Sequence, residues 1–420
     1  MKKQLFWSGL LLATFGLAGC GGSDDTTGTT QTDFANETLT IGVWGGNEAE
    51  ERSLDDMIAT FEEATQAKIE KKVYTDYNTQ IQADMAGKTA PDVFYVDAYM
   101  FPWFSENETL ATLDEATFAA DAFYDSLIDA FKTADGQLQA IPKDMSTLSF
   151  YVNTDIFDAV GVDTTEIPTS FEGLVDWLPT FQEKLDKEYG KGKVSALSYN
   201  QDLARNYHLA IRDGGEPVNA DGTANLASQK VVENLSILKE LVDTNGAVTP
   251  QDIGTGWNGE AFGSGRIAMM DEGNWVYETL KEEFADIPFT VLPMPTYKDT
   301  KGSMMFSVGW GKYVGTKNND LADRWIQHAT GVDGMQAWVE GTGTLPSRGD
   351  VADQAKLSDN PDLAVHLAAW DYATIWQNGT TLDTINTAYQ NFLPIGLTGE
   401  KTLAEALADA DKQANADINQ

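Results

Sequence analysis

Tryptophans set beside glycines, and acids set at the ends of apolar runs, are the residues of this chain best placed to do chemistry. That chemistry is recognition without bond making. Trp275 in Gly273-Asn274-Trp275 and Trp310 in Gly309-Trp310-Gly311 are the strongest stacking candidates, and Trp257 in the run GTGWNG shares their setting. Flanking glycines leave an indole face open and let a guest approach the backbone, although close packing in a core also uses them. Trp44 ends an alternating run and can stand at a rim or in a core. Asp97 directly follows the apolar run Val93–Val96, where a carboxylate accepts hydrogen bonds from hydroxyls or caps a helix. Arg348, after Leu345-Pro346-Ser347, can fork two hydrogen bonds or close a salt bridge. Tyr77, Tyr99 and Tyr207 are secondary candidates, and Asp271 and Glu272 are either solvated or turned toward a cleft. Indole faces with charged acceptors suit a guest that carries both hydroxyls and apolar ring faces.

Patterns for covalent or metal chemistry are missing from the sequence. The histidines, His208, His328 and His366, form no HExxH and no Cys-His cluster, so a zinc hydrolase is disfavoured. There is no G-x-S-x-G elbow, and Gly263-Ser264-Gly265 lacks the Lys-Ser/Thr of a phosphate loop. Carboxylate pairs of the glycosidase kind are uninformative among 65 acids. No cofactor and no metal are expected.

The elements that position these residues read as α/β. Leu39, Ile41 and Val43 alternate within Thr38–Gly46 and stop at glycines, which predicts a strand and a turn. Leu54, Met57, Ile58 and Phe61 follow at helical spacing. A strand at Lys71–Tyr74, a helix at Tyr77–Ala86 and a strand at Val93–Val96 complete a unit with a mostly parallel sheet. Ligands of such sheets sit beyond the carboxyl ends of the strands, where Trp44 and Asp97 fall. Further on, Ser228 is read as the cap of a helix carrying Val231, Leu235, Leu238 and Val242. Phe289–Leu292 reads as a strand, and Met305–Gly315 as a strand broken by glycines. Thr402 and Glu405 form a capping box before the last helix.

The N-terminus has a separate job. Lys2 and Lys3 precede an apolar run from Leu5 to about Leu17, then small residues lead to Cys20, the pattern of a secretory signal over residues 1–19. Leu17-Ala18-Gly19-Cys20 resembles the bacterial lipobox, in which the Cys is lipidated. Two acyl chains give stable anchoring where one does not. Cys20 is the only cysteine, so no internal disulfide forms. Residues 20–37 read as the lipidated Cys and a flexible tether, rich in Gly, Ser, Thr and Asp. The 420 residues exceed what one core usually organises, which makes two domains the expectation. A formal charge of −37 repels nucleic acid and anionic lipid headgroups, so both are poor partners.

A series of short motifs runs the length of the body. These are Ala86-Gly87-Lys88 with Ala90-Pro91-Asp92-Val93, Ile141-Pro142-Lys143-Asp144 with Tyr151-Val152-Asn153, and Gly214–Val218 with Asp221-Gly222. Phe262–Met269 with Gly273-Asn274-Trp275, Leu292-Pro293-Met294-Pro295, and Gly309-Trp310 follow. In that order they resemble the extracellular solute-binding proteins of the sugar type, the maltodextrin- and multiple-sugar-binding family. Val308 and Val152 depart from the family's usual glycine and aromatic residue, which blurs the choice of sugar.

The resemblance implies a two-lobed fold like that of periplasmic binding proteins, each lobe an α/β sheet flanked by helices, with the ligand in the cleft. Lobe I would take 38–148 and 309–345, lobe II 149–308 and 346–420, with hinges near 143–149, 305–308 and 345–348. It also makes Asp144 a hydroxyl acceptor, against a plain Lys143–Asp144 neighbourhood. The implied function is capture of a carbohydrate, a di- or oligosaccharide, outside the cytoplasm by a lipid-anchored monomer and delivery to the permease of an ABC importer. Another solute such as a polyamine, and a secreted glycosidase, are the alternatives; Trp also holds cations over its face.

Overall fold

Leu39, Ile41 and Val43 are all buried along strand β1 (Thr38–Trp44), as their alternation requires. A computed structural model describes residues 34–419. The signal sequence, Cys20 and the tether up to residue 33 lie outside the described residues. The tether ends earlier than expected, because Phe34 is only 6% exposed and its N–H donates to the Thr65 carbonyl at 3.1 Å. One apolar ring among polar residues is enough to seat the chain here.

The helix Glu48–Thr65 begins where Asn47 accepts the Glu50 N–H at 2.9 Å, with Glu48, Glu50 and Glu51 at its positive end. Leu54, Met57 and Phe61 are its buried face, and left-handed Gln66 ends it. Strand β2 (Lys68–Tyr74), the helix Tyr77–Gly87 and strand β3 (Val93–Asp97) follow, and β1 lies parallel to both β2 and β3. The chain then adds β4 (Ala140–Asn153), β5 (Ser195–Ser198), β6 (Ala247–Val248), β7 (Ile267–Gly273), β8 (Phe289–Leu292), β9 (Ser303–Lys312) and β10 (Ala373–Ile375).

The described strands join in the order β2-β1-β3-β9-β4-β7-β5-β6, with β10 beside β9 and β8 beside β4. Each half carries a parallel set, β2-β1-β3 in one and β7-β5-β6 in the other, and the crossing strands make the whole mixed, because β4 and β9 run against each other, β9 against β3, and β4 against β7 and β8. β4 is buried at every residue. Its ladder with β9 ends at Thr147–Met305, and its ladder with β7 starts at Leu148–Gly273. One strand therefore serves two cores. The first gathers Leu39, Phe61, Phe94, Trp310, Trp325 and Trp338; the second gathers Phe157, Leu174, Phe181, Leu235, Tyr389 and Leu407.

Beyond Leu345 the chain stays with the first core for longer than expected. Arg348 bridges to Phe123, and the helix Gly349–Ala355 buries Val351 among first-core residues. Asn274 ties the crossing segments, accepting the Thr147 N–H at 3.0 Å and donating to the Gly343 carbonyl at 2.9 Å.

Two local expectations fail. β9 runs unbroken through Gly309 and Gly311. A Cβ on Gly311 would sit 2.6 Å from the Leu110 and Val96 side chains, so this glycine permits close approach within a strand. Ser228 stands before the helix Gln229–Asp243 but its hydroxyl makes no cap bond. The Thr402–Glu405 capping box is present.

Candidate ligand-binding cleft

β1 and β3 are parallel, so their carboxyl ends open on the same side and carry Trp44 and Asp97 there. Both line a cleft of about 240 Å³ between the two cores. Glu50, Tyr95, Lys143 and Asp144 line it beside them, and Trp275 and Phe306 face them from the second lobe.

Trp44 is held in place by neighbouring aromatics. Its ring lies 4.7 Å from Tyr95 and edge-on to Tyr77 at 5.1 Å, and the Tyr77 hydroxyl donates to the Tyr95 carbonyl. Tyr77 thus supports the cleft from behind. Across the gap, Trp275 precedes the helix Val276–Glu282 and meets Phe306 edge-on at 5.5 Å. Its ring folds over Gly273, where a Cβ would come within 2.1 Å of it. The Arg205 guanidinium lies 5.1 Å from the same ring. The Asn47 amide donates to the Trp275 carbonyl at 3.4 Å, and Arg52 pairs with Glu282 at 2.9 Å, so the lobes touch at the rim.

The charged floor is built around Lys143. Its ammonium pairs with Asp144 and lies 4.0 Å from the Trp338 ring centre and 5.0 Å from that of Tyr95. Asp144 also accepts the Trp338 indole N–H at 2.8 Å. The Lys143–Asp144 neighbourhood is therefore a buried pair, and Asp144 reaches the cleft with one oxygen already engaged. Burial pushes the Glu50 carboxyl up, opposed by Lys143.

Burial also pushes the Asp97 carboxyl up to about 7; the Tyr99 N–H, donating at 3.3 Å, opposes this, while Asp144 and Asp383 add repulsion. An acid with a raised folded value binds more protons folded than unfolded. Neutral Asp97 thus stabilises the fold below about pH 4, and that contribution is lost as pH rises through about 7. Asp97→Asn stays neutral, so it should gain stability over the parent between about pH 4 and 7.5, measured as the difference in urea midpoints. A difference that does not change with pH would contradict this environment.

The other expected residues are elsewhere. Trp310 is 1% exposed, packed on Tyr95 at 4.5 Å and on Trp325 at 5.4 Å, so it is a core residue. Arg348 donates to Asp350 at 3.0 and 2.8 Å and lies over Phe123, a local ion pair outside the cleft lining. Tyr207 is buried, its hydroxyl taken by the Asn378 amide at 2.7 Å. Tyr99 stands behind Asp97, its hydroxyl accepting from the Asn78 amide. Trp257 is 37% exposed and lines a neighbouring cavity.

Sequence reasoning missed Glu50, Tyr95, Lys143 and Phe306 as lining residues. Tyr95 was within reach, since it lies two residues before Asp97 on the same face of β3. Phe306 is likewise two residues before Val308, which also lines the cleft. Glu50 and Lys143 carry no local signal.

Residues 56–365 match the family described as bacterial extracellular solute-binding protein. The chain belongs to that family. Binding of a solute outside the cell is what the family's description states. The maltodextrin-binding protein MdxE of Bacillus subtilis (strain 168) is 22% identical over 286 residues, a match spanning 66% of each chain. Among solved structures, the substrate-binding protein Lmo0181 of Listeria monocytogenes, in complex with cycloalternan, superposes with a TM-score of 0.77 at 20% identity, covering 91% of this chain and 99% of its own. The GacH receptor of Streptomyces glaucescens GLA.O, solved unliganded and with acarbose, gives 0.77 at 23% identity, covering 90% and 97%. A solute-binding protein of Thermotoga lettingae TMO bound with alpha-D-tagatose gives 0.79 at 19% identity, covering 91% and 99%. These likenesses place the fold of this family member among two-lobed binding proteins.

Proposed function

We propose that the solute is a carbohydrate, bound between the lobes and passed to the permease of an ABC importer. The observation that carries this reading is the pairing of Trp44 and Trp275 on opposite lobes with Asp97 and Asp144 between them. Two indole faces take the C–H faces of a sugar ring, and the acids accept its hydroxyls. The sugars named for the matched relatives point the same way. Lipid on Cys20 holds the protein, as a monomer, at the outer face of the membrane.

A cationic solute is the second reading, because Glu50, Asp97 and Asp144 outnumber Lys143 in the cleft. Two observations weigh against it. Asp144 is already paired, and burial raises the Asp97 carboxyl to about 7, which weakens its pull on a cation.

Titration of tryptophan fluorescence with mono- and oligosaccharides, and with spermidine, tests both readings. A sugar should shift the emission, and Trp275→Ala should weaken its binding by about 1–3 kcal/mol. Binding of spermidine with no response to any sugar would replace the proposal with its rival. Parent-like sugar affinity in Trp275→Ala would remove Trp275 from the site.

A further inference from the structure

Trp275 and Phe306, the rings that the second lobe turns toward the cleft, share a backing that does not itself line the cleft. Arg205 stands in the first turn of the helix Leu203–Ala210, its guanidinium 5.1 Å from the Trp275 ring centre and 5.6 Å from that of Phe306. Asp202 caps this helix by accepting the Arg205 N–H at 2.7 Å, which fixes where the side chain starts. Glu272, 1% exposed, accepts from one Nη at 3.0 Å and from the Gly273 N–H at 3.2 Å through the same oxygen. Gly273 is the residue beneath the Trp275 ring. One carboxylate therefore ties the guanidinium to the backbone under the indole.

An arginine placed for pairing alone forks two hydrogen bonds onto one carboxylate. Arg205 does not. One Nη bonds Glu272, the other stands 3.6 Å from Asp202, and Nε is buried with no acceptor among the described residues. A buried donor left unpaired is costly, and a buried ion pair stabilises little beyond a well-packed apolar pair. The orientation that forgoes these bonds is the one that lays the cation over two rings.

We infer that Arg205 is a positioning residue for binding: it holds the Trp275 indole, with Phe306 against it, in the orientation that meets the guest, and does not touch the guest itself. The inference rests on Trp275 being a contact of the sugar. A ring fixed before the guest arrives spares binding an ordering cost, equivalent to about three- to tenfold in affinity. Lysine does not replace Arg205 here, because an ammonium keeps the charge beside Glu272 but has no flat face to cover two rings.

Labelling with 5-fluorotryptophan and calorimetric titration with gluco-oligosaccharides of one to six units test it together. The Trp275 fluorine line, assigned by its loss in Trp275→Phe, should be single and narrow in the sugar-free parent, and broadened or split in Arg205→Lys. On sugars that the parent binds, Arg205→Lys should weaken affinity by about three- to tenfold. In a Trp275→Ala background the same change should cost less than about twofold, because Arg205 acts through that ring. Arg205→Met with Glu272→Gln removes both buried charges and makes the same comparison if Arg205→Lys unfolds. A fluorine line of parental width in these variants overturns the inference. So does a loss of affinity that persists in full without Trp275, which would make Arg205 a contact of the sugar. Parental affinity of Arg205→Lys beside an impaired Trp275→Ala also overturns it and leaves the cleft standing. If the parent binds none of these sugars, the carbohydrate reading falls, and the fluorine line alone decides whether Arg205 holds the ring.

Discussion

Trp310→Ala should lower the free energy of unfolding by about 3–5 kcal/mol, the usual cost of emptying a buried aromatic site. The indole is 1% exposed and wedged between Tyr95 and Trp325, so its removal leaves a void that the surrounding strands are too constrained to fill. The loss should appear in urea denaturation as a lower midpoint with an unchanged slope. Ligand affinity, measured well below the transition, should fall only to the extent that Tyr95 shifts. Trp275→Ala should show the reverse pattern, with binding weakened and stability nearly kept. A Trp310 variant as stable as the parent would mean that the ring is not part of the first core.

Asp144→Ala is expected to cost a similar 3–5 kcal/mol, for an electrostatic reason. Lys143 is 6% exposed and Asp144 5% exposed, so deleting the carboxylate strands an ammonium away from water. It also removes the acceptor of the Trp338 indole N–H, which lies at 2.8 Å. Replacing both partners, Lys143→Met with Asp144→Leu, should recover most of the loss, because a buried pair contributes little beyond a well-packed apolar pair. Thermal and urea unfolding of the two variants would decide it. If the single variant is as stable as the double, the pair is not buried as described.

How much of this could be read from the chain depends on how far away each deciding contact lies. Trp44 and Asp97 were legible because strand alternation and the parallel β1–β3 pairing put both at carboxyl ends, a property set within about 60 residues of chain. Trp310 was misread because glycines beside a tryptophan have two causes. At Gly273 the space is filled by Trp275's own ring, while at Gly311 it is filled by Leu110 and Val96. Whether the indole then meets a guest or a core depends on Trp325, in a helix that its own sequence does not place over β9. Arg348 was left open between hydroxyl binding and a salt bridge, and Asp350 two residues on supplies the salt-bridge partner. The mixed pairing of β4 and β9 was also out of reach, because strands that cross between lobes have no local mark of direction.

β4 is a rung of both halves of the sheet, and that limits how the molecule can be divided. No single cut in the chain releases one half with all of its strands, so neither lobe is a module that could be lifted out, shuffled or expressed alone. The same sharing means that damage to either hydrophobic mass is felt across the whole chain.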